Sequence, residues 1–363
     1  VLTEPERIME SMTSIRTLPP PEYTNDEKLM LIDFLLAMKK THLRDFFREL
    51  DMPRSGTKAE MRERLQDALN EERLSYQQIV EFLDSVAPWG KQHVILYDGP
   101  RRDLQSWKDR DLLLNHLKQH RVGKYLNARL PLVLPDVLTL SSITHRDATL
   151  RVTAVQKREY TERAPEHDGE KSAPDGTQIV LRAYAHHVDR TLVTFEWDLV
   201  ANTAMLQITQ LRGDRFYEQV AREFFDLVST WLDIENMFTL VDIRGTIRSL
   251  HELEEKGRAE ARSHGIQYRS LQGRRLSAHS PSPRDSVLGE DYIDNAMVGV
   301  RENGVGHLGN FSWLASGNGE TRETPLNGDV HVILVADKDR INFPTPNSED
   351  VVRYVLHRVR ALS

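Results

Sequence analysis

Residues 38–72 read MKKTHLRDFFRELDMPRSGTKAEMRERLQDALNEE, and their pattern sets the architecture of the N-terminal part of the chain. Leu43, Phe46, Phe47 and Leu50 recur at i, i+3, i+4 and i+7, one stripe of an amphipathic helix. Asp51-Met52-Pro53-Arg54-Ser55-Gly56 breaks it. Pro53 biases Met52 away from helical geometry, and Gly56 can take dihedrals that other residues avoid. Thr57 opens a second helix, with Glu60 three residues on to complete a capping box. Met61, Leu65 and Leu69 supply its apolar stripe. The pattern predicts two short helices joined by a tight polar turn.

This stretch resembles the SAP motif, a small helix-turn-helix module of DNA- and chromatin-associated proteins. The hydrophobic helix, the Leu50-Asp51-Met52-Pro53 link, the Ser55-Gly56-Thr57-Lys58-Ala59-Glu60 signature and the closing Glu63-Arg64-Leu65 stand in the family's order. The resemblance implies contacts to DNA phosphates from Arg44, Arg54, Ser55, Gly56, Thr57, Lys58 and Arg62. A helix N-terminus suits such a contact, because it offers unpaired N–H groups and a positive dipole end. Backbone contacts position a protein and carry little sequence information. Between Lys39 and Arg73, nine Lys and Arg face eight Asp and Glu, so the module is not a basic patch. A structural or protein-binding role for it stays open.

At 363 residues, two domains is the natural expectation. Charged residues make up 28%, and no run of 18 apolar residues occurs, so no membrane span is expected. The opening VLTEPERIME has neither the basic n-region nor the apolar core of a signal peptide. It also lacks an initiator Met, which leaves room for residues before Val1. There is no cysteine, which removes disulfides, thiolate metal sites and cysteine nucleophiles. The formal net charge of −7 argues against coating of nucleic acid by the whole surface, so any DNA contact is local. Arg outnumbers Lys 36 to 12, the mark of a GC-rich and plausibly bacterial genome.

Residues 1–25, with Pro19-Pro20-Pro21, read as an extended arm, and residues 26–90 as a helical domain around the SAP-like motif. The helix expected at Asp26 to Lys40 is apolar almost all round, which predicts burial on every side. A further helix is expected at Ser75 to Val86. Residues 91–363 read as an α+β domain. Strands are expected at 92–97, 132–139 and 149–160, and an antiparallel meander at 178–187, 191–199 and 203–211. Its turns fall at Val188-Asp189-Arg190 and Ala201-Asn202. Val193, Phe195, Trp197 and Leu199 share one face. Residues 163–177, 277–286 and 303–329 read as loops, 215–233 and 347–362 as packed helices, 245–264 as a charged exposed helix, and 267–276 and 330–336 as strands.

The most basic segment is Arg101 to Leu130, a helix interrupted near Gly123. Eight Lys and Arg there face three Asp and Glu. Arg101, Arg102, Lys108, Arg110, Lys118, Arg121 and Lys124 are candidates for a second nucleic-acid surface, against the plainer reading of a solvated face. His116 and His120 lie four apart on it, a metal-pair spacing with no third ligand nearby. Glu196 and Asp198 share a strand face and are the weak catalytic candidates, since carboxylates at period two can hold a divalent cation. No lysine follows Glu196 where a nuclease pattern needs one, and a solvated polar face is the plainer expectation. No phosphate-binding loop, G-x-S-x-G or H-E-x-x-H occurs.

These features describe an α+β protein with an all-helical SAP-like module, followed by an antiparallel meander and packed helices. The leading expectation is a non-catalytic DNA-binding subunit with a protein partner, no cofactor, no metal and no membrane. It would be cytoplasmic, nucleoid-associated if bacterial, in a DNA-defence or DNA-processing assembly. The alternatives are a metal-dependent nuclease tethered by the module, and a structural protein-interaction hub.

Overall fold

The computed structural model describes residues 24–38, 40–86, 89–101, 104–128, 131, 134–211, 216–282, 284–315 and 325–363. Most of the arm expected at 1–25 and Arg102 lie outside them. The chain divides into two compact units, Val1–Ser85 and Val86–Ser363.

The first unit is helical: α1 (Asn25–Ala37), α2 (Lys40–Glu49), α3 (Lys58–Asn70) and α4 (Tyr76–Val86). Its core holds Leu31, Leu35, Leu43, Phe46, Phe47, Met61, Leu65 and Ile79, all within 2% of complete burial. The stripes of α2 and α3 turn inward because removing apolar surface from water is the main stabilising contribution of so small a unit. On α3 the third buried side chain is Ala68 rather than Leu69. α1 is not buried on every side: Leu29 and Met30 are exposed. α4 starts on a reciprocal pair, Gln78 N–H to Ser75 Oγ at 3.2 Å and Ser75 N–H to Gln78 Oε1 at 2.9 Å.

The second unit is one large antiparallel sheet. Its strands are β1 (Gln92–Asp98), β2 (Thr139–Arg146), β3 (Thr149–Arg163), β6 (Tyr184–Asp198), β7 (Thr203–Thr209), β8 (Thr239–Leu240), β9 (Ala261–Ser270), β10 (Arg275–His279), β11 (Gly304–Trp313), β12 (Val330–Val335) and β13 (Arg340–Phe343). The order is β10-β9-β11-β12-β13-β1-β7-β6-β3-β2, and β8 caps the end of β1. A separate hairpin pairs β4 (Gly169–Ser172) with β5 (Gln178–Leu181). The helices are α5 (Leu104–Lys108), α6 (Arg110–Gln119), α7 (Phe216–Val228), α8 (Ile234–Met237), α9 (Arg244–Glu255), α10 (Asp291–Glu302) and α11 (Glu349–Ala361).

Two cores lie on opposite faces of this sheet. Successive residues of a strand point to opposite sides. On β7, Met205 joins a core with α9, α10 and α11, whereas Ala204, Leu206 and Ile208 join one with α5, α6 and α7. Val193, Phe195 and Trp197 of β6 and Leu199 just after it are fully buried in the second core, as their shared face predicts.

Several sequence expectations give way here. There is no turn at Val188-Asp189-Arg190: β6 runs unbroken and pairs with all of β3, from Thr149 opposite Asp198 to Arg163 opposite Tyr184. Beyond Lys157 the two strands pair only with each other, as a two-stranded ribbon, and Arg158 lies over the Phe216 ring of α7 at 5.8 Å. The loop expected at 303–329 contains β11, and the loop at 163–177 contains β4. The charged helix stops at Glu255, because Gly257 at φ +67° lets the chain turn, and β9 follows. Residues 267–276 do not form one strand; they span a hairpin turn, and β10 reaches into the loop expected at 277–286.

α9 also carries a pH-sensitive contribution. His251 is 1% exposed and its Nδ1 lies 3.0 Å from Tyr268 Oη. Burial, helped by the nearby Arg301 guanidinium, pushes its pKa down to about 4. The folded state therefore prefers neutral imidazole, and acid favours the unfolded chain, which takes up the proton below about pH 6.5. This contribution is complete above that pH and is lost as pH falls from there to the folded value. About 2–3 kcal/mol should be gone by about pH 4.5. Urea midpoints at neutral and acid pH measure the drop, and His251→Gln should make it smaller by that amount.

Candidate nucleic-acid interface

The turn between α2 and α3 is closed by five hydrogen bonds. Met52 N–H donates to Phe47 O at 2.8 Å and seats the Met52 side chain in the core. Thr57 and Glu60 complete the capping box, Thr57 N–H to Glu60 Oε2 at 2.7 Å and Glu60 N–H to Thr57 Oγ1 at 3.3 Å. Arg64 then reaches back along α3 and donates to Pro53 O at 3.0 Å and to Ser55 O. Sequence reasoning placed Arg64 in the motif but gave it no role. Its signal was the four-residue spacing from Glu60, which sets both side chains on one helical face below the turn.

Gly56 sits at φ +131°, a region that side-chain-bearing residues rarely adopt. A Cβ there would lie 2.5 Å from Glu60 Oε2 and 3.3 Å from the Arg64 guanidinium. Gly56→Ala should therefore open the cap as well as strain the backbone. We expect the helical unit to lose about 1–3 kcal/mol, measured by urea unfolding.

With the turn fixed in this way, Arg44 of α2 meets Arg54 and Ser55 across an open groove, with Asp45 at its side. Asp45 is held by Arg48 at 3.0 Å. Arg44, Arg54, Ser55, Gly56, Thr57 and Lys58 are all exposed. Among the described residues Arg44, Arg54 and Lys58 make no ion pair. Arg62 is placed differently: it pairs with Asp33 of α1, which commits it to holding α3 against α1. The remaining cations surround a helix start whose dipole end also favours an anion.

The second basic segment is distributed over α5, α6 and the turns beside them. Arg101, Lys108, Arg110, Lys118, Arg121 and Lys124 are exposed. On α6 the buried stripe is Leu113 and Leu117. At 100° per residue Arg110 and Lys118 flank it on one side, and His116 and His120 on the other. His116 Nε2 lies 2.7 Å from Trp231 O, so that nitrogen is the protonated donor, and the His116 and His120 rings are 4.7 Å apart.

Glu196 and Asp198 do not form a cation site. Glu196 is 3% exposed, which overturns the expectation of a solvated face. Its Oε2 accepts from Arg151 Nε at 2.9 Å and Nη2 at 2.6 Å, and its Oε1 from Arg353 Nη2 at 2.6 Å. Two guanidiniums occupy both oxygens and would repel a metal ion. Asp198 Oδ1 accepts from Val200 and Ala201 N–H, each at 2.8 Å, and so forms the turn into β7. Among the described residues no group of three or more His, Asp and Glu is arranged to hold a metal.

Residues 35–70 match the family model of the SAP domain. No curated protein matches the chain. The match supports DNA binding and covers α2, the turn and α3. Among the described residues no helix is long and apolar enough to cross a membrane.

Proposed function

We propose that this chain is a DNA-binding subunit that holds the phosphate backbone through its SAP domain and sets a protein partner on the DNA. The observation that carries the reading is the groove of Arg44, Arg54 and Ser55 beside Lys58 at the capped start of α3. A domain with so few cations binds weakly and with little sequence preference, and its affinity falls steeply with salt. The Arg151–Glu196–Arg353 cluster supports a non-catalytic role, because it ties down the carboxylate on which a nuclease reading rests.

The partner half rests on the ribbon of β3 and β6. At its end β5 has one free edge and no charged residue, and Ile179, Val180, Leu181 and Tyr184 are each at least 41% exposed. A free, uncharged, apolar edge is suited to pairing with an extended strand of another protein.

The test is binding of the full chain to a short duplex across a salt series, beside Arg54→Glu/Lys58→Glu. Steep salt dependence that flattens in the variant supports the reading. Equal binding by both proteins would sink it and favour the protein-interaction role.

A further inference from the structure

A cavity of about 850 Å³ opens in the second unit between α5, α6 and the α7–α8 connection. It falls in the size range of small-molecule sites. None of its described lining residues belongs to the SAP domain. Its wall is aromatic in depth: Trp197 in the core lies 5.5 Å from Trp107, Trp107 5.1 Å from His116, and His116 4.7 Å from His120. The ladder runs from a fully buried indole to an exposed imidazole at the cavity. A flat ring entering there meets Trp107 and His120.

The polar groups are of three kinds. Arg101 is exposed at the cavity and is the one fixed cation among its described lining residues. Asp233 and Asn236 lie side by side, Asn236 Nδ2 donating to Asp233 Oδ2 at 2.8 Å. That leaves the Asn236 carbonyl and the remaining Asp233 lone pairs to accept from a ring edge. His116 is locked by its bond to Trp231 O, so the aromatic wall is preformed.

We propose that this cavity binds a single nucleotide unit, its base against Trp107 and His120 and its phosphate at Arg101. Stacking supplies affinity without base preference. The Asn236 carbonyl and the Asp233 carboxylate offer acceptors to an exocyclic amino group such as that of adenine. The same chemistry is offered by a free nucleoside monophosphate and by an unpaired nucleotide of a strand. The strand source rests on the DNA-binding reading above; the pocket itself does not.

The experiment titrates the full chain with 2′-deoxyadenosine 5′-monophosphate and with deoxyribose 5-phosphate, followed by calorimetry. A second arm compares a perfect duplex with one that carries a single unpaired adenine. Variants are Arg101→Glu, Thr230→Trp to fill the cavity, and Arg54→Glu/Lys58→Glu as the control for the SAP domain. Circular dichroism reports folding of the Trp variant, and Arg101→Glu keeps the test open if that variant misfolds.

We expect saturable binding of the nucleotide, at least tenfold weaker binding of the sugar phosphate, and loss in both cavity variants but not in the control. Binding of the free nucleotide assigns the free source. A preference for the unpaired adenine alone, removed by the cavity variants, assigns the strand. Nucleotide binding without any duplex binding would uphold the pocket and remove the DNA-binding reading. Duplex binding with neither nucleotide binding nor an unpaired-base preference would overturn the pocket and leave that reading intact.

Discussion

Arg54→Glu together with Lys58→Glu should cost the chain about 10²-fold in affinity for duplex DNA at about 50 mM salt. The size follows from counterion release. Each phosphate neutralised contributes a slope of about −0.9 in log affinity against log salt. Removing two should flatten the slope by roughly 1.8 units, and the effect should shrink as salt rises. Neither side chain makes an ion pair among the described residues, so neither holds the fold together. The SAP domain should keep its helicity, because the capping box and the Arg64 bonds to Pro53 O and Ser55 O remain. Arg62→Glu serves as the contrast. It breaks the pair with Asp33 that joins α3 to α1, so its effect should appear in unfolding as well as in binding. An unchanged slope in the double variant would show that these cations do not touch phosphate.

The helical unit was legible because its signals are local. Apolar spacing, a proline, a glycine and a capping pair all act within a few residues, and each is seen where the sequence puts it, except that Ala68 takes the place of Leu69 in the core and α1 exposes Leu29 and Met30. The sheet was less legible, because its signals are set by distant neighbours. Gly304, Gly306 and Gly309 read as a loop, yet all three lie in β11. A Cβ on Gly304 would lie 2.6 Å from Arg269 O, one on Gly306 2.7 Å from Ile247 Cβ, and one on Gly309 2.3 Å from the Phe311 ring. These glycines make space for β9, α9 and an aromatic side chain, none of which sequence spacing reveals. The ribbon of β3 and β6 was broken in the reading for the opposite reason. Beyond Lys157 no residue of β3 is fully buried, so the alternation that marks a half-buried strand is weak there. In the candidate interface, Arg44, Arg54 and Ser55 were named from the motif and do meet across one groove. The diversion of Arg62 to Asp33 depends on how α1 packs, and Arg64 could have been found only from its spacing to Glu60.

Glu196→Ala should destabilise the second unit by about 2–3 kcal/mol, read from the urea midpoint of the full chain. Loss of one partner from a fully buried pair costs roughly 3–5 kcal/mol, because a charge is left uncompensated. Here the carboxylate is 3% exposed, while the Arg151 and Arg353 side chains keep 31% and 42% of their surface in water. Water therefore relieves part of the penalty. The cluster also ties the sheet to α11: Arg151 and Glu196 face each other on β3 and β6, and Arg353 comes from α11, whose valines fill the core shared with α9 and α10. Arg353 lies over the Trp89 ring at 5.3 Å and keeps Glu349 at 2.7 Å, so it does not lose every partner. Glu196→Gln keeps the shape and removes the charge, and should recover only part of the loss. DNA binding by Glu196→Ala at low temperature should match the native chain, since the SAP domain is untouched. A Glu196→Ala protein as stable as the native chain, yet deficient in Mg²⁺-dependent cleavage that the native chain performs, would instead restore the nuclease reading.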